Sequence, residues 1–308
     1  MNHPELSRTV RVFTPSDPAL DAGTGGNPAT VTLDADGLSD AELQAVAERL
    51  GHESAFVLAP PDGTFDFAFR FFAPNFEMEM CGHATVGTLW VLRRLGRWPK
   101  GKTDVTVWTK SGPVHGRLLH AGTPAERVAV SQPKGRIWAL PDPIAHAARI
   151  AEVLGVTDAE RAAEPIVNAS TSRIKTLVPL TSAAAVNALR PDFTRMEALC
   201  EDIGSTGLYP YAIVDREARI VEARQFPKEV GYPEDAATGV AVTALAFALL
   251  EGGVVAADER PIRVIQGRAM GQPSELVVSF EIGRDGPTQC WLTGLVADLE
   301  PQPHAVRG

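Results

Sequence analysis

Three titratable residues in this sequence stand where they could carry out acid–base chemistry on a bound substrate. Glu53 follows a predicted helix and comes directly before a short apolar run. His83 and Asp235 each lie in a segment that leads into a helix, predicted over 84–95 and 239–250, and both helices are apolar on nearly every side. Such a helix must be buried all round. The sequence therefore places three proton-carrying side chains at the ends of elements that a core would hold rigidly.

The starts of the two apolar helices could bind an anion. The first N–H groups of a helix have no partner within it, and the helix dipole adds partial positive charge at that end. If both helices start at one interdomain cleft, we expect a carboxylate substrate to bind there, beside Glu53, His83 and Asp235. This arrangement suits proton removal next to an activating group, since the N–H groups would stabilise the developing anion.

Each of these residues also has a structural interpretation when it is taken alone. His83 could satisfy a backbone group at the helix start, Asp235 could cap its helix, and Glu53 could be a surface carboxylate. Cys81 could be a small buried apolar residue. Only the combination of these residues favours the catalytic interpretation.

Apolar periodicity and turn residues predict the elements that position these groups. Ser39 and Glu42 form a capping box at the start of the first helix, and Gly51 ends that helix. Helices are predicted over 39–50, 84–95, 142–154, 194–203 and 239–250, strands over 54–58, 65–71, 218–226, 262–266, 275–282 and 290–295, loops over 73–82 and 227–235, and a linker over 132–143.

One stretch of the sequence resembles another that lies half a chain length later. Arg70 and the two residues after it align with Arg224 and the two after that, at an offset of 154 residues, and each copy continues through a glutamate into an apolar helix. This duplication predicts an α+β fold of two pseudo-symmetric domains, each a curled, mostly antiparallel sheet or barrel around a central buried helix. We place the domains at 1–132 and 133–292, and expect 293–308 to return to the first.

The composition is that of a soluble globular enzyme, and it limits the partners. The net charge is −9, and no lysine- and arginine-rich run offers the basic surface that nucleic acid or an anionic membrane would need. We therefore expect neither partner. The N-terminus has no apolar segment of signal-peptide length, and the three cysteines are widely spaced without a Cys-x-x-Cys pair, which favours a reducing, cytoplasmic setting.

No sequence motif indicates a metal or a cofactor. His52 and Glu53 begin a zinc-protease HExxH pattern, but Phe56 stands where the second histidine must be. A glycine-rich segment ends at Pro28 and lacks the last glycine of a dinucleotide fingerprint. Phosphate-loop and nucleophile-elbow patterns are absent. We expect the protein to need neither a metal nor a cofactor.

Several motifs resemble, in order along residues 10–295, those of the phenazine-biosynthesis (PhzF-like) isomerase family, which has the diaminopimelate epimerase fold. The most specific are Cys-Gly-His-Ala-Thr at 81–85 and Glu-Asp-Ala-Ala-Thr-Gly at 234–239. The supporting matches are Gly-Asn-Pro-Ala at 26–29, His-Glu-Ser-Ala-Phe-Val at 52–57, Arg-Phe-Phe-Ala-Pro at 70–74, and Gln-Gly at 266–267 with Gly-Gln-Pro-Ser at 271–274. The resemblance covers nearly the whole chain.

This resemblance implies a homodimeric isomerase that needs no metal or nucleotide and moves a proton on a small carboxylic acid. It implies that Glu53 is the general acid/base and that His83 and Asp235 hold the substrate and assist proton transfer. It also implies a set of substrate-binding residues, several of them acting through main-chain N–H groups, namely Asn27, Gly82, Thr238, Gly239 and Val240.

One departure from the family pattern and one cysteine keep other hypotheses open. Val240 stands where the family often has serine, and the lost hydroxyl would weaken carboxylate binding by about 1–3 kcal/mol if nothing replaces it. A binding or scaffold protein that has the fold without activity is therefore one alternative. A two-thiol epimerase or racemase is another, motivated by Cys81, although Ala236 occupies the position where the second thiol would stand.

Overall fold

The computed structural model describes residues 7–20, 23–228, 233–284 and 286–299. Contacts within the chain divide it into two compact units. The first unit comprises the described residues of Met1–Thr14, Asn27–Val130 and Gly294–Gly308, and the second unit comprises those of Pro15–Gly26 and Ser131–Thr293. This division differs from the predicted domains mainly in residues 15–26, which belong to the second unit.

A mixed sheet and the helices α1 and α2 form the first unit. Its elements are β1 (Ser7–Thr14), β2 (Asn27–Thr32), α1 (Asp40–Leu50), β3 (Ser54–Leu58), β4 (Phe67–Ala73), β5 (Phe76–Met78), α2 (Gly82–Arg94), β6 (Asp104–Thr109), β7 (Gly112–Leu119), β8 (Arg127–Gln132) and the last strand of the chain, β18 (Leu295–Asp298). The strands lie in the order β18-β1-β2-β3-β4-β6-β7-β8, with β5 also paired to β4. The pairs β2–β3 and β4–β6 are parallel, and the other pairs are antiparallel.

The second unit repeats this arrangement. Its elements are β9 (Arg136–Ala139), α3 (Pro143–Leu154), β10 (Val167–Ser170), β11 (Ile174–Pro179), α4 (Ala183–Ala188), α5 (Met196–Asp202), β12 (Gly207–Asp215), β13 (Ile220–Ala223), β14 (Phe226–Pro227), α6 (Gly239–Glu251), β15 (Ile262–Gln266), β16 (Ser274–Gly283) and β17 (Gly286–Thr293). The strand order is β9-β10-β11-β12-β13-β15-β16-β17, again with parallel pairs in the third and fifth places, β11–β12 and β13–β15. The two units therefore share one topology, which confirms the pseudo-symmetric α+β fold.

In each unit the sheet curls around its apolar helix. α2 packs against β1, β2 and β3. It also lies close to β7, near the other end of the sheet, since a Cβ placed on Gly116 would be 2.5 Å from Leu89 of α2. α6 likewise packs against β16 and β17 as well as β9 and β10, and a Cβ on Gly135, just before β9, would overlap the ring of Phe247. Because each helix touches strands from both ends of its sheet, the sheet must wrap around it.

Helices α3, α4 and α5 form a separate apolar layer of the second unit. Asp142 caps α3, its carboxylate accepting the N–H of Ala145 at 3.1 Å, and Gly155 ends the helix in the left-handed conformation. Ile150 of α3 and Leu199 of α5 are buried in the cluster that these helices share. Among the described residues, no helix has both the length and the apolar character needed to cross a bilayer.

A buried or half-buried arginine–glutamate pair recurs in the two units and strengthens the duplication. Arg70 donates two hydrogen bonds to Glu77, at 2.7 and 2.8 Å, and Arg224 donates two to Glu234, at 2.8 and 2.7 Å. The arginines are 154 residues apart and the glutamates 157. The connection between the arginine and the glutamate is therefore three residues longer in the second copy.

Some element boundaries differ from the predicted ones. The strand predicted over 65–71 lies two residues later, and β5 lies inside the predicted loop over 73–82. The predicted linker over 132–143 contains β9, whose residues are mostly exposed and so show no apolar alternation. The strand predicted over 218–226 is instead two strands, β13 and β14, which are separated by Arg224 and Gln225.

Candidate active site

Glu53 lies where the chain passes from α1 into β3. α1 ends at Gly51, which adopts the left-handed conformation with a φ of 73°. The Thr30 N–H of β2 donates to the Glu53 carbonyl at 3.4 Å, so the backbone of Glu53 is tied to the parallel pair β2–β3. The side chain is 34% exposed. Glu53 is thus open to a ligand while its backbone is fixed.

Cys81 and His83 stand at the start of α2, against the Glu53 carboxylate. Cys81 occupies the N-cap position with an extended backbone, and its side chain makes no capping hydrogen bond. Both side chains are buried. Sγ of Cys81 lies 3.3 Å from Nδ1 of His83 and 3.9 Å from Oε2 of Glu53, while Nε2 of His83 lies 3.2 Å from the same Oε2. The structure therefore brings the predicted base and the predicted histidine together.

The short distance between Glu53 and His83 is not a hydrogen bond. Sγ and Oε2 are only 3.9 Å apart, although they lie beside different nitrogens of one imidazole ring. Partners placed along the outward axes of both nitrogens would be much farther apart, because those axes diverge. Sγ is hydrogen-bonded to Nδ1, so Oε2 must lie off the axis of Nε2. Nε2 is accordingly buried without a hydrogen-bond partner in the described part of the chain.

His52 supports this cluster from the neighbouring position. Its Nε2 lies 2.8 Å from the Thr30 hydroxyl, which in turn lies 2.8 Å from the Thr9 hydroxyl on β1. Burial, and then the nearby His83, lower the pKa of His52 below its ordinary value. His52 is therefore held in its neutral form. The sequence indicated no role for it beyond the motif at 52–57.

The side chains of Glu53, Cys81 and His83 could also bind a metal ion. One carboxylate oxygen, one thiol sulfur and one imidazole nitrogen lie within 4.8 Å of one another. This combination of ligands is typical of Zn²⁺ sites. Acid–base chemistry by Glu53 and His83 needs these atoms free of metal, so added Zn²⁺ should inhibit it.

Asp235 belongs to a hydrogen-bonded network in the second unit. The Thr238 hydroxyl donates to Oδ2 of Asp235 at 2.5 Å. The amide of Gln266 donates to the Asp235 carbonyl at 2.7 Å and to the Thr238 hydroxyl at 3.1 Å. Its oxygen accepts the hydroxyl of Tyr209 at 2.9 Å. The Asp235 carboxylate also accepts the Ala237 N–H at 3.4 Å, and a fully partnered amide holds its backbone. The N-cap residue of α6 is Thr238 and not Asp235.

Tyr209 was not predicted as part of this network, and Gln266 appeared only as a minor family match. Both are fully buried. Burial raises the pKa of Tyr209 well above its ordinary value, with the charges of Asp235 and Glu222 adding to the effect. Tyr209 therefore remains a neutral hydrogen-bond donor. Its strand is separated from Asp235 along the chain, so no local pattern could have identified it.

The helix starts expected to bind a carboxylate are present in both units. α2 begins at Gly82 and α6 at Gly239, and the side chain of neither N-cap residue, Cys81 or Thr238, occupies the helix N–H groups. Gly82, Gly239 and Val240 are each partly exposed. The structure thus leaves the first N–H groups of both helices without a side-chain cap.

The predicted site residues fall into two groups. Asn27, Glu53, Gly82 and His83 belong to the first unit, and Asn27 begins β2, three residues before Thr30. The other group belongs to the second unit and comprises Asp235, Thr238, Gly239 and Val240. In the first group Glu53 lies against the buried His83, and in the second Asp235 accepts a hydrogen bond from Thr238. The expected meeting of the two groups at one cleft stays a prediction.

Solved structures of a racemase and of a phenazine-biosynthesis protein share the fold described above. The fold is similar to that of a probable proline racemase from Agrobacterium radiobacter, with a TM-score of 0.58 and 15% identity over 97% of this chain and 94% of that one. It is more similar to a PhzF-family phenazine biosynthesis protein from Bacillus anthracis, with a TM-score of 0.79 and 24% identity over 96% of this chain and 97% of that one. At these identities the likeness concerns the fold.

Sequence comparison identifies the family. The profile of the phenazine biosynthesis-like proteins (PhzC-PhzF) matches residues 10–297, so the chain belongs to this family and is an isomerase. An uncharacterized isomerase, YddE, from Escherichia coli O157:H7 is 30% identical over 92% of this chain and 94% of its own. An uncharacterized isomerase from Deinococcus radiodurans is 36% identical, over 83% and 82%. The trans-2,3-dihydro-3-hydroxyanthranilate isomerase of Pseudomonas aeruginosa is 31% identical, over 83% and 85%. The resemblance stated from the motifs is confirmed.

Proposed function

We propose that this isomerase moves a proton between two carbons of a small carboxylic acid, with Glu53 as the single acid/base and without a bound cofactor. The observation that carries the proposal is the buried Nε2 of His83, which has no hydrogen-bond partner in the described structure and lies 3.2 Å from Oε2 of Glu53. A buried polar atom without a partner costs about 1–3 kcal/mol. Such atoms are rare in folded proteins and call for an explanation. Contact with a substrate beside the carboxylate provides one.

The proposed reaction needs one group that takes a proton and returns it. The Glu53 carboxylate removes a proton from a carbon next to a carbon–carbon double bond. The electron pair of the broken C–H bond forms a new double bond, and the old double bond takes the proton back from Glu53 at its far carbon. The substrate and product therefore have the same atoms. General acid–base catalysis of this kind contributes about 10²–10⁴-fold to a rate.

Cys81 decides which nitrogen of His83 carries the proton. At 3.3 Å the thiol is closer to Nδ1 than to Oε2, which is 3.9 Å away. If the thiol donates to Nδ1, the ring proton must be on Nε2. A proton on Nε2 also avoids placing a bare nitrogen lone pair 3.2 Å from a carboxylate oxygen. His83 then presents an N–H donor beside Glu53, where it could bind a substrate oxygen that gains negative charge when the proton is removed.

The start of α2 provides donors for the substrate carboxylate within the first unit. The side chain of its N-cap residue does not occupy the N–H groups, and the positive end of the helix dipole favours an anion there. Gly82 and His83 lie at this start, beside Glu53. A carboxylate bound to these N–H groups would place its neighbouring carbons near the proposed base.

The family resemblance assigns the second-unit residues Asp235, Thr238, Gly239 and Val240 to the same reaction. The hydrogen bond that the Thr238 hydroxyl donates to Oδ2 orients the Asp235 carboxylate. Their participation, and the homodimer that the family implies, stay predictions.

The two-thiol alternative lacks a second suitable thiol among the described residues. Cys200 and Cys290 are fully buried, and burial raises their pKa values to about 11 and about 12. Neither can readily form the thiolate that such a mechanism needs. Ala236, at the position expected for the second thiol, is buried and has no acid–base group.

Incubation in heavy water tests the proposed function. A panel of small unsaturated carboxylic acids, including the trans-2,3-dihydro-3-hydroxyanthranilate named for the Pseudomonas relative, would be examined by NMR for isomerised product and incorporated deuterium. We expect at least one acid to be isomerised, and Cys81→Ser to retain the activity. Acids that bind but are never isomerised or labelled would instead support a scaffold protein. An inactive Cys81→Ser variant that is correctly folded would favour a thiol base.

A further inference from the structure

The second unit buries an amide side chain that makes no hydrogen bond. Gln225 is 1% exposed, and neither its Oε1 nor its Nε2 has a partner among the described residues. Gln266, buried in the same unit, uses both its amide hydrogens and its oxygen. Because an unpartnered buried amide is destabilising, the polarity of Gln225 needs an explanation that packing does not give.

The duplicated fold shows that this position does not require a polar residue. Arg70 and Arg224 are equivalent, since each binds a glutamate through two hydrogen bonds and lies over the ring of the phenylalanine two residues later, at 5.2 and 4.8 Å from the ring centre. The residue between arginine and phenylalanine is Phe71 in the first unit and Gln225 in the second. Phe71 is fully buried. An apolar side chain can therefore fill the equivalent position in the other unit.

Gln225 shares one face of the sheet with Asp235. The two residues form an antiparallel bridge in which the Asp235 N–H donates to the Gln225 carbonyl at 3.1 Å. Directly opposed residues of an antiparallel pair have their side chains on the same face, about 4.5–5.5 Å apart at Cβ. The register of β12, with Leu208 opposite Phe226 and Tyr211 opposite Ala223, places Tyr209 opposite Gln225. Gln225 is thus adjacent to the network that holds Asp235.

A glycine makes room for the amide at this place. Gly207 has a φ of 152°, and a Cβ there would lie 2.6 Å from Nε2 of Gln225 and 2.5 Å from the Phe226 carbonyl. Any larger residue would displace the amide. The unpartnered amide at position 225 therefore depends on glycine at position 207.

We propose that the side-chain amide of Gln225 binds an uncharged polar group of the substrate, a hydroxyl or a carboxamide. This inference rests on the proposed function, because it assumes that the face carrying Asp235 binds the small carboxylic acid. An amide offers two donors and an acceptor, so a hydroxyl or a carboxamide, which both donates and accepts, complements it. A charged group is disfavoured because Gln225 could not compensate for its burial. Gln225 thereby sets specificity at a distance from the carboxylate.

Matched pairs of ligands test this assignment. Binding of butyrate and 3-hydroxybutyrate, of benzoate and 3-hydroxybenzoate, and of valerate and glutaramate would be measured by NMR titration. We expect the wild-type protein to prefer the polar member of at least one pair about 3- to 10-fold, the effect of one or two hydrogen bonds. In Gln225→Met, which keeps the length of the side chain, the preference should disappear while the apolar member binds equally well.

A control variant and a stability measurement separate the possible outcomes. Gln289→Leu removes a partnered amide from the same unit and should keep the preference. Gln225→Met should unfold at an equal or higher temperature than the wild type, which excludes misfolding as the cause of a lost preference. A preference retained in Gln225→Met, or absent from the wild type in every pair, would overturn the assignment. Isomerisation in heavy water by the wild type, measured separately, reports on the proposed function instead.

Discussion

Replacing Glu234 by glutamine removes the negative charge that faces a buried guanidinium. The side chains of Arg224 and Glu234 are 7% and 9% exposed and are joined by two hydrogen bonds of 2.8 and 2.7 Å. Arg224 keeps contacts with the Val186 and Leu189 carbonyls, at 3.3 and 3.0 Å, but these cannot neutralise it. Breaking a buried ion pair by removing one partner costs about 3–5 kcal/mol. We expect Glu234→Gln to destabilise the second unit by that amount.

The first unit contains a matched control. Glu77 faces Arg70 with the same geometry, but the two side chains are 17% and 15% exposed, and Arg70 also pairs with Asp40 at 2.7 Å. Because the guanidinium keeps one carboxylate and some contact with water, Glu77→Gln should cost only about 1–2 kcal/mol. Glu77 also pairs with the exposed Lys110, so the comparison tests burial together with the number of charged partners, while the arginine–glutamate hydrogen-bond geometry is the same.

Hydrogen–deuterium exchange followed by mass spectrometry would measure both effects. Peptides from α2 report the opening free energy of the first unit and peptides from α6 that of the second, so the assay does not assume that the whole chain unfolds in one step. We expect a large loss of protection in α6 for Glu234→Gln and a smaller one in α2 for Glu77→Gln. Equal losses, or a larger loss for Glu77→Gln, would refute this expectation.

Three further predictions concern Cys81, His52 and Thr238. Cys81→Ala should slow isomerisation about 5- to 10-fold, the value of one hydrogen bond to His83, whereas Cys81→Ser should not, and equal rates in the two variants would contradict a positioning role. Burial, and then His83, lower the pKa of His52 below its ordinary value of 6.5. As the pH falls, His52 is therefore protonated in the unfolded chain before it is protonated in the folded one. Stability in urea titrations should therefore fall as the pH drops below 6.5, level off below the lowered pKa, and lose this component in His52→Gln. Thr238→Val removes the donor to Asp235 and should lower kcat about 10- to 100-fold, with Thr238→Ser restoring it; an unchanged kcat would separate Asp235 from the reaction.

The sequence predicted the helices of the site well because their signals are local. The capping box of Ser39 and Glu42 and the stop at Gly51 appear in the structure as predicted. The apolar runs that became α2 and α6 could only be buried helices, and their ends differ from the predicted ones by at most two residues. The approach of His83 to Glu53 followed from motif order in the family resemblance, not from any local rule.

The features that could not be predicted from the sequence depend on contacts between distant parts of the chain. β9 is recognisable only by its pairing with β10, because most of its residues are exposed. Tyr209 reaches the Asp235 network through Gln266, 57 residues away. Gln225 was visible in the aligned repeat, but its lack of a partner depends on how the unit packs around it. Such properties have no counterpart in periodicity or spacing.

The central claim is that one carboxylate, that of Glu53, moves the proton. The most direct measurement compares isomerisation and deuterium incorporation in heavy water by wild type, Glu53→Gln and Glu48→Gln, using whichever acid the wild type isomerises. Glu48 lies exposed on α1 and provides a matched loss of charge. We predict that Glu53→Gln loses at least about 10²-fold in both rates while Glu48→Gln stays at the wild-type level. A folded Glu53→Gln variant with the wild-type rate would contradict the proposed mechanism.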